Sequence, residues 1–115
     1  MGVENGAMKV QILHIADCPN WKITGEDVIG VLSELDARDV QVEYVLLTTP
    51  EEAGGVPFAG SPTILIDGVD AFPPSETTAN LACRIYRTNG RFAGSPSKTD
   101  LLEVFGRALV NITTS

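Results

Sequence analysis

The run Lys9 to Ile15 (Lys-Val-Gln-Ile-Leu-His-Ile) carries apolar side chains on both faces of an extended backbone. Val10 and Ile12 fall on one face, Leu13 and Ile15 on the other. That pattern reads as a strand in the middle of a sheet, covered on both sides. It stops at Ala16-Asp17-Cys18-Pro19-Asn20-Trp21. A helix-like run follows from Trp21 to Leu35, with Trp21, Val28, Val31, Leu32 and Leu35 on one face. Val40 to Leu47 is again strand-like. Strand, helix and strand in that order imply a parallel pair joined by a right-handed crossover.

The rest of the chain adds an antiparallel half. Gly25 and Gly30 weaken the first helix by about 1 kcal/mol each relative to alanine. Gly25 lies on the apolar face and allows close packing against the sheet. Asp36 to Asp39 is a polar turn. Thr48-Thr49-Pro50-Glu51-Glu52 is a helix start, with a threonine cap, proline at the first position and acids in the first turn. Gly54-Gly55 keeps that helix short. Val56 to Gly60 is a loop, and Pro62 to Asp67 is a third strand. Asp67-Gly68 signals a tight hairpin, with Val69 to Phe72 as its return. Leu81 to Arg87 supports two readings: an alternating strand entering an Asn89-Gly90 turn, or a short helix ending at Gly90. Ser97 to Val110 is a helix capped by Ser97, with Leu101, Leu102, Phe105, Ala108 and Leu109 on its apolar face.

A chain of 115 residues has room for one core and one domain. Its net charge of −7 argues against non-specific nucleic-acid binding and against an anionic membrane surface. No apolar run approaches the ~20 residues of a membrane-spanning helix. Residues 1–7 are polar and glycine-containing; they read as a disordered leader rather than a signal peptide, with the folded part, 8–115, beginning near Met8. Without a secretion signal, Cys18 and Cys83 are expected as reduced thiols in a cytoplasmic protein. In that compartment the Asn111-Ile112-Thr113 sequon carries no glycan.

Cys18 sits where a strand hands over to a helix. Free N–H groups and the dipole at a helix N-terminus favour a thiolate. Asp17 opposes it by like-charge repulsion. Pro19 fits the start of a helix, where its missing N–H costs nothing. Trp21 shares the phase of Val28 and Leu35, which points to core ahead of a substrate platform. His14 has no Ser or Asp partner placed for a triad, so a packed histidine is expected. Two cysteines without His or Cys neighbours at ligand spacing argue against a structural zinc site, and no cofactor is expected.

These motifs resemble the thioredoxin superfamily over most of residues 8–110. The active-site cysteine follows the first core strand and opens the first long helix. Ser61-Pro62-Thr63-Ile64-Leu65-Ile66 resembles the loop that carries a cis proline before the third core strand. Ser97 to Val110, preceded by Gly94, resembles the final helix. Cys18-Pro19 is more like the Cys-Pro-x-Cys of glutaredoxins than the Cys-Gly-Pro-Cys of thioredoxins. The chain is similar to short bacterial thioredoxin-like proteins with Cys-Pro-Asn-Trp and Gly-Ser-Pro-Thr motifs, sometimes grouped by name with alkylmercury lyases. The implied fold is α/β and thioredoxin-like: a central four-stranded mixed sheet flanked by helices, with an insertion around 73–90.

The departures limit what the resemblance implies. Trp21 stands where a resolving cysteine would be, Ile12 where thioredoxins bury an acid, and Asp17 where a tryptophan precedes the cysteine. The leading expectation is a thiol-disulfide redox protein acting through Cys18 alone. Pro19, Trp21, Ser61 and Pro62 would contact a protein or low-molecular-weight thiol or disulfide partner. Release would come from Cys83 or from an external thiol. Two alternatives stay open. Cys18 and Cys83 could act as paired soft ligands in mercury or organomercurial handling, or the fold could serve as a non-enzymatic binding module.

Overall fold

The computed structural model describes residues 8–37, 39–72, 81–82, 84–88 and 91–114, with the backbone alone at 88, 91 and 111–114. Residues 1–7, Cys83, the Asn89-Gly90 pair and residues 73–80 of the expected insertion lie outside the described residues.

The chain forms β1 (Met8–His14), α1 (Asn20–Glu34), β2 (Val40–Leu46), α2 (Pro50–Gly54), β3 (Thr63–Ile66), β4 (Val69–Asp70), β5 (Tyr86–Thr88), β6 (Arg91–Ala93) and α3 (Lys98–Thr114). The main sheet has the order β2-β1-β3-β4. β1 pairs with β2 in parallel, Ile12 opposite Tyr44, and with β3 antiparallel, Ile12 opposite Ile64. The architecture is therefore mixed α/β, a four-stranded mixed sheet with helices.

β1 is central for the reason its sequence suggests. Met8, Val10 and Ile12 meet Val28, Val31 and Leu32 of α1 and Leu101 and Phe105 of α3 in one core. Trp21, Leu35, Leu102, Ala108 and Leu109 pack around it. Leu13 and Ile15 enter a second cluster, with Leu47, Ala53, Phe58, Leu65 and Cys18. Cover on that second face is confined to the end of β1 nearest Cys18. Lys9 and Gln11 share that face but lie beside Glu43 of β2, at 3.5 and 2.8 Å.

Gly25 faces the Tyr44 ring, and a Cβ there would lie 2.6 Å from the Tyr44 Cε1. The Tyr44 ring thus fills the space that a side chain at position 25 would take. Thr49 caps α2 through its hydroxyl, which accepts from the Glu52 N–H at 3.1 Å. Asp67 and Gly68 take positive φ values of 51° and 86°, as a two-residue hairpin turn of this hand requires.

One open reading narrows toward a strand, and one expectation changes. The Leu81 to Arg87 region holds no described helix; β5 pairs with β6 in a separate two-stranded sheet, Arg87 opposite Phe92. α3 also runs past Val110 to Thr114, because 111–114 contain no glycine or proline to stop it.

Candidate functional site around Cys18

Two loops meet at the end of β1. The first is the β1–α1 turn, where the Cys18 N–H donates to the Ile15 carbonyl at 3.5 Å and Pro19 takes the N-cap position of α1. The second is the loop before β3. It is tied by Thr63, whose hydroxyl donates to the Gly60 carbonyl at 2.6 Å and accepts from the Ala59 N–H at 3.0 Å. The peptide between Ser61 and Pro62 is cis. Ser61 joins the loops: its hydroxyl accepts from the Ile15 N–H at 3.1 Å, and its carbonyl accepts from the Cys18 thiol at 3.4 Å.

Cys18 itself is 0% exposed and lies in the cluster of Leu13, Ile15, Phe58 and Leu65, against which Leu81 also packs. The Asn20 side-chain amide donates to its sulfur at 3.6 Å. Asn20 is held in turn by Gly94, where a Cβ would lie 2.8 Å from the Asn20 Cγ. The segment before α3 thereby reaches the sulfur through one side chain.

The other expected site residues divide into four groups. Ser61 and Pro62 are buried beside the thiol. Pro19 is exposed, one residue along the chain from Cys18. Trp21 is half-buried and packs against the α1 core: it stacks on His14, centroids 4.2 Å apart, with Tyr44 edge-on at 5.4 Å. Its packing role agrees with its helical phase. Cys83 lies outside the described residues, so its distance from Cys18, on which the paired-ligand alternative depends, is not defined. Among the described residues, no three His, Cys, Asp or Glu side chains gather as a metal site. Among them also, no helix is long and apolar enough to cross a membrane.

His14 is 6% exposed, and burial lowers its pKa below the ordinary 6.5, with the Ile15 peptide opposing the shift. The folded state therefore favours the neutral ring, and the unfolded chain takes up the proton first. The resulting contribution to stability is present above 6.5 and is lost as pH falls through the lowered pKa. Urea unfolding is expected to show stability falling as pH drops below the ordinary 6.5, and His14→Phe to reduce that slope. An unchanged slope in the variant contradicts this assignment.

Sequence reasoning missed a third set of residues around Ser61. The Ser61 N–H donates to the Ala82 carbonyl, and the Ser61 carbonyl accepts from the Arg84 N–H, both at 2.8 Å. Arg84 is fixed by Asp70 of β4: its Nη1 lies 3.2 and 3.1 Å from the two carboxylate oxygens. Its Nη2 donates to the Phe72 carbonyl at 2.8 Å, and its guanidinium lies 4.5 Å from the Tyr86 ring centroid. The Tyr86 hydroxyl donates to the Pro62 carbonyl. Burial pushes the Tyr86 phenol pKa up, against the pull of Arg84, which keeps that donor protonated. Gly60, at φ 107°, leaves space for Arg84; a Cβ there would lie 2.8 Å from the Arg84 Cα. Gly60 carried a readable signal, a glycine directly before Ser-Pro. Nothing in the sequence paired Arg84 with Asp70.

Comparison with protein-family models, with curated proteins and with solved structures returned no match.

Proposed function

We propose that this chain is a thioredoxin-like domain that performs thiol-disulfide exchange through a single sulfur, that of Cys18. The observation that carries the reading is the juxtaposition of the Cys18 sulfur with the Ser61 carbonyl, 3.4 Å apart. A cysteine at a strand-to-helix turn faces a backbone loop that can hold a disulfide-bearing chain in line with it. The order β1-α1-β2, the antiparallel β3-β4 hairpin and the terminal α3 support the same reading.

In the exchange, the Cys18 thiol gives its proton to solvent and the thiolate attacks one sulfur of a partner disulfide. A bond forms between Cys18 and that sulfur. The partner's S–S bond breaks, and the leaving thiolate takes up a proton. A second thiol, low in molecular weight or from a protein, then attacks the mixed disulfide. It leaves as the new disulfide and restores Cys18. Trp21 occupies the position from which an internal thiol would otherwise resolve the intermediate.

The second reading is a binding scaffold without exchange activity. The full burial of Cys18 and the donation of its thiol to a carbonyl favour it. Trapping of mixed disulfides separates the two. With an excess of an aromatic disulfide, native protein and Cys83→Ser are expected to form an adduct, and Cys18→Ser to form none at that position. An adduct pattern that Cys18→Ser leaves unchanged removes the exchange reading, and native protein that forms no adduct favours the scaffold.

A further inference from the structure

We propose that the stretch carrying Leu81, Ala82, Arg84 and Tyr86 is an internal strap that occupies the partner-docking edge at Ser61 and Pro62 and gates access to Cys18. The inference rests on the exchange reading above, of which it is the regulation. An extended partner chain binds a sheet edge or loop through main-chain hydrogen bonds, and needs a free N–H and a free carbonyl to do so. At Ser61 both are taken. The N–H is held by the Ala82 carbonyl, and the carbonyl accepts from the Arg84 N–H and the Cys18 thiol together. Bonds from one residue to Ala82 and Arg84, on either side of a single position, are those of a strand lying alongside the loop. The carbonyl of Pro62, next along that loop, is taken by the Tyr86 hydroxyl. The chain thus makes for itself the contacts an incoming strand would make.

The strap is anchored at several points, with Arg84 and Tyr86 buried. Its hold on β4 comes from the Arg84–Asp70 pair and the Phe72 carbonyl. Its hold on the loop depends on Gly60, which a side chain would push against the strap backbone. Yet its residues before β5 add no strand to the main sheet, and among the described residues β5, which begins at Tyr86, pairs with β6. Leu81 is half-buried against the cluster holding Cys18, whereas Ile85 is 71% exposed. An element held to the sheet by side chains and a loop, outside the main-chain ladder of the central strands, opens before those strands do. When it opens, the Ser61 groups become free and the cover over the sulfur is withdrawn together.

The test uses the full chain with Cys83→Ser, so that Cys18 is the single thiol, and iodoacetamide as the probe. Alkylation of Cys18 is followed beside native-state hydrogen exchange of individual amides. Alkylation is expected to be slowed at least about 100-fold relative to an unprotected thiol, by a factor matching the protection of the Ser61 and Arg84 amides. The Ile12 and Ile64 amides of the central strands are expected to be protected at least about tenfold more. Tyr86→Phe, which removes one hydroxyl contact, is expected to raise Cys18 alkylation and Ser61 and Arg84 exchange together by about tenfold, with Ile12 and Ile64 unchanged. Gly60→Ala is expected to act in the same direction. Three results would overturn the strap: alkylation at the rate of a free thiol, alkylation that tracks only the core amides, or a Tyr86→Phe effect spread equally over core and loop. Failure of the exchange reading looks different. A thiol that is alkylated on opening but never forms a mixed disulfide retains the strap and removes the chemistry. A thiol that forms the mixed disulfide while alkylating freely does the reverse.

Discussion

Asp70→Ala lowers the free energy of unfolding by about 3 kcal/mol, because it takes the carboxylate away from a guanidinium that is already desolvated. The Arg84 side chain is 7% exposed and that of Asp70 16%, so bulk water screens this pair far less than it screens Lys9–Glu43 at the surface. The loss comes mainly from the charge left behind rather than from the attraction removed. A cycle with Arg84→Ala isolates the pairwise part, and a coupling of about 1–3 kcal/mol is expected. Urea unfolding at neutral pH measures it, with slopes checked for constancy across the four proteins. Additive single losses would mean that Arg84 is held by the Phe72 carbonyl and the Tyr86 ring, with Asp70 incidental.

Phe105→Ala is the second large effect, a loss of about 4 kcal/mol. Phe105 is fully buried where α3 meets α1 and the sheet, among Val10, Ile12, Val28 and Leu101. Removing the ring deletes its transfer free energy and leaves a cavity that two helices and a strand cannot jointly collapse. Ile29, on the outer side of α1 and 53% exposed, supplies the comparison. Ile29→Ala is expected within about 0.5 kcal/mol of the parent. Similar losses at the two positions would show that α3 does not seal the core.

The elements that order the fold were legible because their signals are local. The two-faced β1, the apolar stripes of α1 and α3 and the Asp67-Gly68 turn each rest on the period or conformational preference of a few adjacent residues. Gly25 was legible for the same reason: a glycine on an apolar helical face signals close approach, and the Tyr44 ring is what approaches. Leu81 to Arg87 was not, since alternation and helical spacing coincide over so short a run. Its conformation is set by Ser61 and Asp70, which are distant in sequence. The end of α3 was missed for a related reason, because a polar tail without a breaker can prolong a helix without adding to the apolar stripe.

The candidate site divides in the same way. The junction at Cys18 and the loop at Ser61 and Pro62 are visible as motifs, and their meeting follows from pairing β1 with β3. The position of Cys18 at a helix terminus says nothing of what fills the space around the sulfur. Phe58, Leu65, Leu81 and the Asn20 amide come from four separate segments, and Gly94 admits Asn20 only because the segment before α3 passes over it. Burial of this kind is a tertiary property, and it turns an open thiol into a covered one.

The function of this chain turns on whether the Cys18 sulfur exchanges. The most direct measurement is the intact mass of the Cys83→Ser protein after incubation with glutathione disulfide under native conditions, followed by peptide mapping. One glutathione adduct on Cys18, removed by excess reduced thiol and restoring the starting mass, is the predicted result. A protein that stays unmodified while folded and gains the adduct only in urea would contradict the account, and would identify Cys18 as a packing residue of the second core.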